Sequence, residues 1–203
     1  MKKLTIVFSW LFISASVFGV LACSSGSDTT STSTPAPTAG GVIVSIATYE
    51  VAVGSDFTIR VNIGNVTNMD TYQFDLTYDS SIIQIIGAEG GATGVTPGLI
   101  GVTPIPVELW SYQPIGNLGK IRVIGNLPGI TGVSGSGYLC EIHFHAVGVP
   151  CNTSTLAFSA GMLGNAVSQA IVPVIWINGS AHINEVLATP TPTAIPVTTA
   201  TPS

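Results

Sequence analysis

Positive charge is what this sequence has least of. Only five of its 203 residues are Lys or Arg, and charged residues of both signs make up 7%. Nucleic-acid binding needs a stripe of basic side chains, so that class is excluded. The same shortage argues against electrostatic attachment to an anionic membrane surface. Helical patterning is also missing, since no window of twelve or more residues carries an apolar stripe at helical spacing. Catalytic signatures are absent as well. There is no phosphate- or dinucleotide-binding glycine loop, and no G-x-S-x-G turn with an acid and a histidine. A glycoside hydrolase needs two facing carboxyls about 5–9 Å apart in a cleft. Here Asp75, Asp79, Glu89, Glu108 and Glu141 are scattered over turns and faces. No calcium loop of the EF-hand kind surrounds Asp79. The composition therefore points to a non-catalytic protein without a cofactor.

What is present begins at the N-terminus. Met1-Lys2-Lys3 is followed by an almost wholly apolar run, Leu4 to Val20. A basic start and an apolar run form an export signal, slightly short for a membrane span of about 20 residues. Val20-Leu21-Ala22-Cys23 then resembles a bacterial lipobox. That resemblance implies cleavage after Ala22, with residues 1–22 as a lipoprotein signal peptide and diacylglycerol on the Cys23 sulfur. Several acyl chains on one residue make a stable anchor. The expected location is extracytoplasmic, lipid-anchored to the membrane or cell surface. Without the signal, three basic side chains face ten acidic ones, a net charge of −7. Attachment must then come from the lipid.

Residues 23–41 are Ser/Thr/Pro-rich and read as a flexible tether; residues 187–203 form a Thr/Pro tail. Between them, residues 42–186 have the size of one domain. Period-two alternation recurs there. Phe57, Ile59, Val61 and Ile63 alternate with Thr58, Arg60 and Asn62. Tyr72, Phe74, Leu76 and Tyr78 alternate with Thr71, Gln73, Asp75 and Thr77. Tyr138, Cys140, Ile142, Phe144 and Ala146 alternate with Leu139, Glu141, His143 and His145. Further strands are expected at Val42–Val51, Ile82–Gly87, Val107–Tyr112, Lys120–Gly125, Ser154–Ser159 and Val174–Ile183. Turns are expected at Gly64-Asn65, Tyr78–Ser81 and Gly132–Gly137. About nine short strands at this spacing give an all-β sandwich.

Several segments, taken in order, carry a family resemblance. They are Val53-Gly54-Ser55-Asp56-Phe57, Tyr72-Gln73-Phe74-Asp75-Leu76-Thr77-Tyr78-Asp79, Gly119-Lys120-Ile121-Arg122-Val123, Tyr138–Ala146 and Ile177-Asn178-Gly179-Ser180-Ala181-His182-Ile183. Together they resemble the cohesin domain, the module that receives dockerin modules in cellulosome-type assemblies. The resemblance implies a flattened jelly roll of two sheets. One holds the third, fifth, sixth and eighth strands, and its outer face meets dockerin. Carried onto this chain, the outward residues are Thr71, Gln73, Asp75 and Thr77 on the third strand and Arg122 and Ile124 on the sixth. Dockerin-binding members carry Asn and Asp where Thr71 and Gln73 stand, which points to a differing partner. On the fifth strand Glu108, Trp110 and Tyr112 are candidates for the same face, or the two aromatics fill the core; alternation alone leaves that register open. The expected function is a surface-anchored binding module for a dockerin-like protein. The alternative is a carbohydrate-binding module for polysaccharide attachment, for which Trp110, Tyr112 and Trp176 are a thin aromatic supply.

His143 and His145 share one strand face. In the cohesin-like sheet order, His182 lies three strand spacings away, about 14 Å. Zinc bonds of about 2 Å cannot span that, so no metal site is expected. A Cys140–Cys151 bridge is awkward. The strand from Cys140 carries the chain farther than the return to Cys151 can recover, leaving a gap of about 10 Å against the 4.4–6.8 Å that bridging needs. Two unpaired thiols are favoured, with Cys140 as a small core hydrophobe.

Overall fold

The structure is a computed structural model and describes residues 41–185 apart from 88–90, 92 and 130. The signal segment, Cys23, most of the tether and the Thr/Pro tail lie outside the described residues. Among the described residues there is no helix. Twelve strands follow one another: β1 (Val42–Ser45), β2 (Thr48–Ala52), β3 (Asp56–Asp79) and β4 (Ile83–Ile85). Next come β5 (Val95–Ile100), β6 (Thr103–Ile105), β7 (Leu109–Tyr112) and β8 (Leu118–Asn126). The last are β9 (Val133–Ala146), β10 (Thr153–Asn165), β11 (Val174–Ile177) and β12 (Gly179–Asn184).

The 24 residues of β3 belong to both layers of the sandwich. Its first half pairs with β9 and β1, its second half with β8 and β10. The strand turns from one layer to the other at Asn65 and Asn68, whose φ angles are 59° and 55°. Asn tolerates this left-handed region better than most residues. The expected turn at Gly64-Asn65 is thus a kink within a continuous strand. Opposite it, Gly132–Gly137 is not a turn, because β9 already begins at Val133. Ser136 and Ser134 accept the Asn65 and Asn68 N–H groups through their hydroxyls and so replace missing ladder bonds.

One layer reads β7, β8, second half of β3, β10. The other reads β11, β1, first half of β3, β9, with β4 and the β5–β6 hairpin end to end along the far side of β9. β12 pairs with both β2 and the start of β10, which curls the layers together at that edge. The first strands run parallel to the last: β1 beside β11 and β2 beside β12. The β5–β6 hairpin was not expected from sequence, since Pro97 and Pro104 interrupt its pattern.

The alternating residues meet between the layers. Ile59, Val61, Phe74, Leu76, Ile121, Val123, Ile142 and Phe144 are fully buried, and the Tyr78 ring stands edge-on to Phe144 at 4.9 Å. β8 contributes two glycines to this core, each beneath a tyrosine of β3. Gly119 lies opposite Tyr78 and Gly125 opposite Tyr72. A Cβ on Gly125 would stand 2.1 Å from the Tyr72 ring and 2.4 Å from the Pro106 carbonyl oxygen. Cys140 is a free, fully buried thiol, so the Cys140–Cys151 bridge is not made; Cys151, by contrast, is not a free thiol.

Candidate functional site

The outer face of the β7–β8–β3–β10 layer is built from cross-strand rows. Met162, Gln73, Ile124 and Leu109 form one row. Ser159, Asp75, Arg122 and Ser111 form the next. Ala157, Thr77 and Lys120 follow, then Asp79 and Leu118. At the other end Gly164, Thr71 and Asn126 close the face. At sheet spacings the face measures about 27 Å along the strands and about 14 Å across. It carries bulky apolar groups in the open. Leu109, Leu118, Met162 and Ile115, the last at the tip of the β7–β8 hairpin, are each 45–71% exposed.

At its centre lies an ion cluster. Asp75 is only 2% exposed. Arg122 donates to both of its oxygens, Nε to Oδ1 at 2.6 Å and NH2 to Oδ2 at 2.9 Å. Lys120 Nζ stands 2.8 Å from Oδ2. The Arg122 guanidinium, then Lys120, hold the Asp75 carboxyl below its usual range against the opposing effect of burial. Asp75 in turn raises the Arg122 value. The two-pronged guanidinium contact fixes both side chains in one geometry. Asp79, the other carboxylate of this face, turns its Oδ1 back to the Ser81 N–H and hydroxyl.

The outer face of the opposite layer is organised differently. Arg60 Nε donates to Glu141 at 2.8 Å, and its guanidinium lies 4.7 Å from the Tyr138 ring centre. His143 bonds Thr58 through Nδ1 and Thr96 through Nε2, and His145 Nδ1 bonds Asp56. The two imidazoles do share a face, but each is committed to a neighbouring strand. Among the described residues no group of three His, Cys, Asp or Glu side chains could hold a metal ion.

The family model of the cohesin domain matches residues 42–183. The chain belongs to the cohesin family. Solved structures agree at the level of fold. A non-cellulosomal cohesin from Archaeoglobus fulgidus superposes with a TM-score of 0.54 at 22% identity, covering 71% of this chain and 91% of that one. A type I cohesin–dockerin complex from Clostridium thermocellum gives 0.56 at 16% identity, covering 75% of this chain and 100% of its own. The sixth cohesin of scaffoldin B from Acetivibrio cellulolyticus, solved with a dockerin, gives 0.53 at 19% identity, covering 71% and 100%. No curated protein matches the chain.

Six residues singled out in the sequence come together on one face of this cohesin: Thr71, Gln73, Asp75, Thr77, Arg122 and Ile124. Trp110 does not join them. It pairs with Val123 on the core side, is 3% exposed, and donates its indole N–H to the Gly91 carbonyl at 2.8 Å. Tyr112 faces inward beside Ile121. Glu108 is exposed but precedes β7 and alternates with Leu109, away from the face. Of the two registers left open by the alternation, the strand takes the one with both aromatics inward, so Leu109 and Ser111 point outward. Lys120 was also overlooked, although its two-residue spacing from Arg122 places it on the same face. Met162 had no readable signal. A bulge between Ser159 and Met162, with Ala160 at φ 49°, shifts the alternation of β10.

Proposed function

We propose that this cohesin is a non-catalytic receptor module that binds a dockerin-like protein through the β7–β8–β3–β10 face and is held at a membrane or cell surface by lipid on Cys23. The observation that carries the reading is the exposed apolar set, Leu109, Ile115, Leu118 and Met162, around a fixed ion cluster on one sheet face. Exposed apolar groups in one patch mark interaction surfaces. The solved complexes named above, in which cohesins of this fold hold dockerins, support the same direction. A polysaccharide ligand has less support. Trp110 is in the core, and Trp176 is partly buried against Phe74 and Phe158, so no flat aromatic platform is formed by them.

Two experiments test the reading. The mature chain, immobilised, should retain dockerin modules from a displayed library, and Leu109→Asp should abolish retention. Retention of polysaccharide with no dockerin clone recovered would overturn it. For the anchor, labelled fatty acid should be incorporated into the wild type and not into Cys23→Ala. Equal labelling of both would end the lipid claim.

A further inference from the structure

The partner's chemistry can be taken further from the distribution of charge, on the premise that the proposed face is the docking site. After the signal segment only three basic residues remain: Arg60, Lys120 and Arg122. Arg60 is matched one to one by Glu141 on the opposite layer. Lys120 and Arg122 share a single carboxylate, Asp75. Asp75 is spent, since both its oxygens already accept from these cations and it is almost wholly enclosed. The cations are not spent. The side chains of Lys120 and Arg122 are 26% and 43% exposed, and each keeps N–H donors that Asp75 does not use. The centre of the face therefore holds one positive charge in excess within a strongly acidic chain. Asp79, one row beyond Lys120, turns its Oδ1 to the Ser81 N–H and hydroxyl and not to the cluster, where the salt bridges of both cations run to Asp75.

We propose that this face selects a protein module that sets a carboxylate, ringed by apolar side chains, over Lys120 and Arg122. The apolar ring of the partner meets Met162, Ile124 and Leu109 on one side of the cluster and Leu118 and Ile115 on the other. The Asp75 clamp holds the Arg122 guanidinium in place before the partner arrives, so little of its freedom is lost on binding. An incoming carboxylate replaces the water on the remaining donors. A partner presenting a cation there meets repulsion and is rejected. A protein is favoured over an acidic polysaccharide because Leu, Ile and Met side chains, not aromatic rings, flank the cluster.

The test uses the full mature chain and a phage-displayed library of dockerin modules. Lys120 is the only lysine after Lys3, so a carbodiimide amide between a lysine of this chain and a partner carboxylate can form only there. Selected clones should give a Lys120 cross-link to an Asp or Glu side chain in mass spectra. Lys120→Met and Arg122→Met should each weaken them by about tenfold or more, with wild-type affinity falling as salt rises. Lys120→Arg should keep the affinity while losing the cross-link, which separates charge from fold. If clones bind but tolerate both Met variants and give no cross-link, the carboxylate proposal is overturned while the docking face stands. If no clone binds, or only polyuronate is retained, the docking reading falls and this proposal with it.

Discussion

The two outer faces of the sandwich are built from the same pleat and the same residue classes, yet they close their polar groups differently. On the β3–β9 face every prominent polar group has a partner on the neighbouring strand: Arg60 with Glu141, His143 with Thr58 and Thr96, His145 with Asp56. On the β3–β8 face two cations compete for one carboxylate, and large apolar side chains stand beside them. A face that satisfies itself needs only water. A face that leaves donors and hydrocarbon unsatisfied is prepared for something else. The contrast teaches that the proposed docking side is marked less by which residues it holds than by what their bonding leaves over.

The comparison breaks most sharply by placing a charge in the apolar row. Leu109→Asp should weaken a selected dockerin by about thirtyfold or more, while its melting temperature stays near wild type because the side chain is already exposed. Arg60→Ala on the other face should leave that affinity unchanged. Titration calorimetry and thermal melts read both. A comparable effect, on stability alone, is expected beneath the proposed docking face. Gly125→Ala forces a Cβ into the Tyr72 ring and the Pro106 carbonyl and should cost about 1–3 kcal/mol in urea unfolding. A loss below about 0.5 kcal/mol would show that the ring moves freely there.

Smaller effects follow from titration. The depressed Asp75 value means that the folded state holds the charged form more strongly than the unfolded chain does. Its contribution is full above the unfolded value near pH 4 and is lost as pH falls through the folded one. Asp75→Asn should therefore flatten the acid limb of a stability–pH curve. Burial raises Cys140, Tyr72 and Tyr78, which stay neutral in the fold. Their contribution is full below the unfolded values and is lost as pH rises, beginning near pH 8.5 for the thiol and near pH 10 for the phenols. Cys140→Ala should delay the onset of alkaline loss to about pH 10. The smallest change is expected on the self-satisfied face, where Glu141→Gln should leave the melting temperature almost unmoved, as exposed ion pairs usually do.

Much of this arrangement was legible in the sequence. Alternation over Thr71–Tyr78 and Lys120–Val123 turns Asp75 and Arg122 outward on their own strands, and the resemblance to the cohesin family implied that the two strands share one sheet. What escaped was set by contacts distant in sequence. The Trp110 register depends on a carbonyl at Gly91 that its indole reaches, and nothing local distinguishes it from Leu109. Met162 follows a bulge whose signal is a backbone angle at Ala160. Ser134 and Ser136 read as turn residues because short polar side chains usually serve turns, whereas here they bond a neighbouring strand. The carbonyls beside Pro97 and Pro104 still allow a hairpin that proline content disguised.

The parallel neighbours at the sheet edge bear on force. The described chain enters at Gly41 and leaves at Glu185, at opposite ends of strands that lie side by side in the same direction, β1 with β11 and β2 with β12. A pull between these points runs along the strands and loads their hydrogen bonds in shear. The bonds must yield together, whereas in a hairpin pulled from its open end they unzip singly. For the proposed receptor on its proposed tether, this pairing is a seam oriented to carry the load.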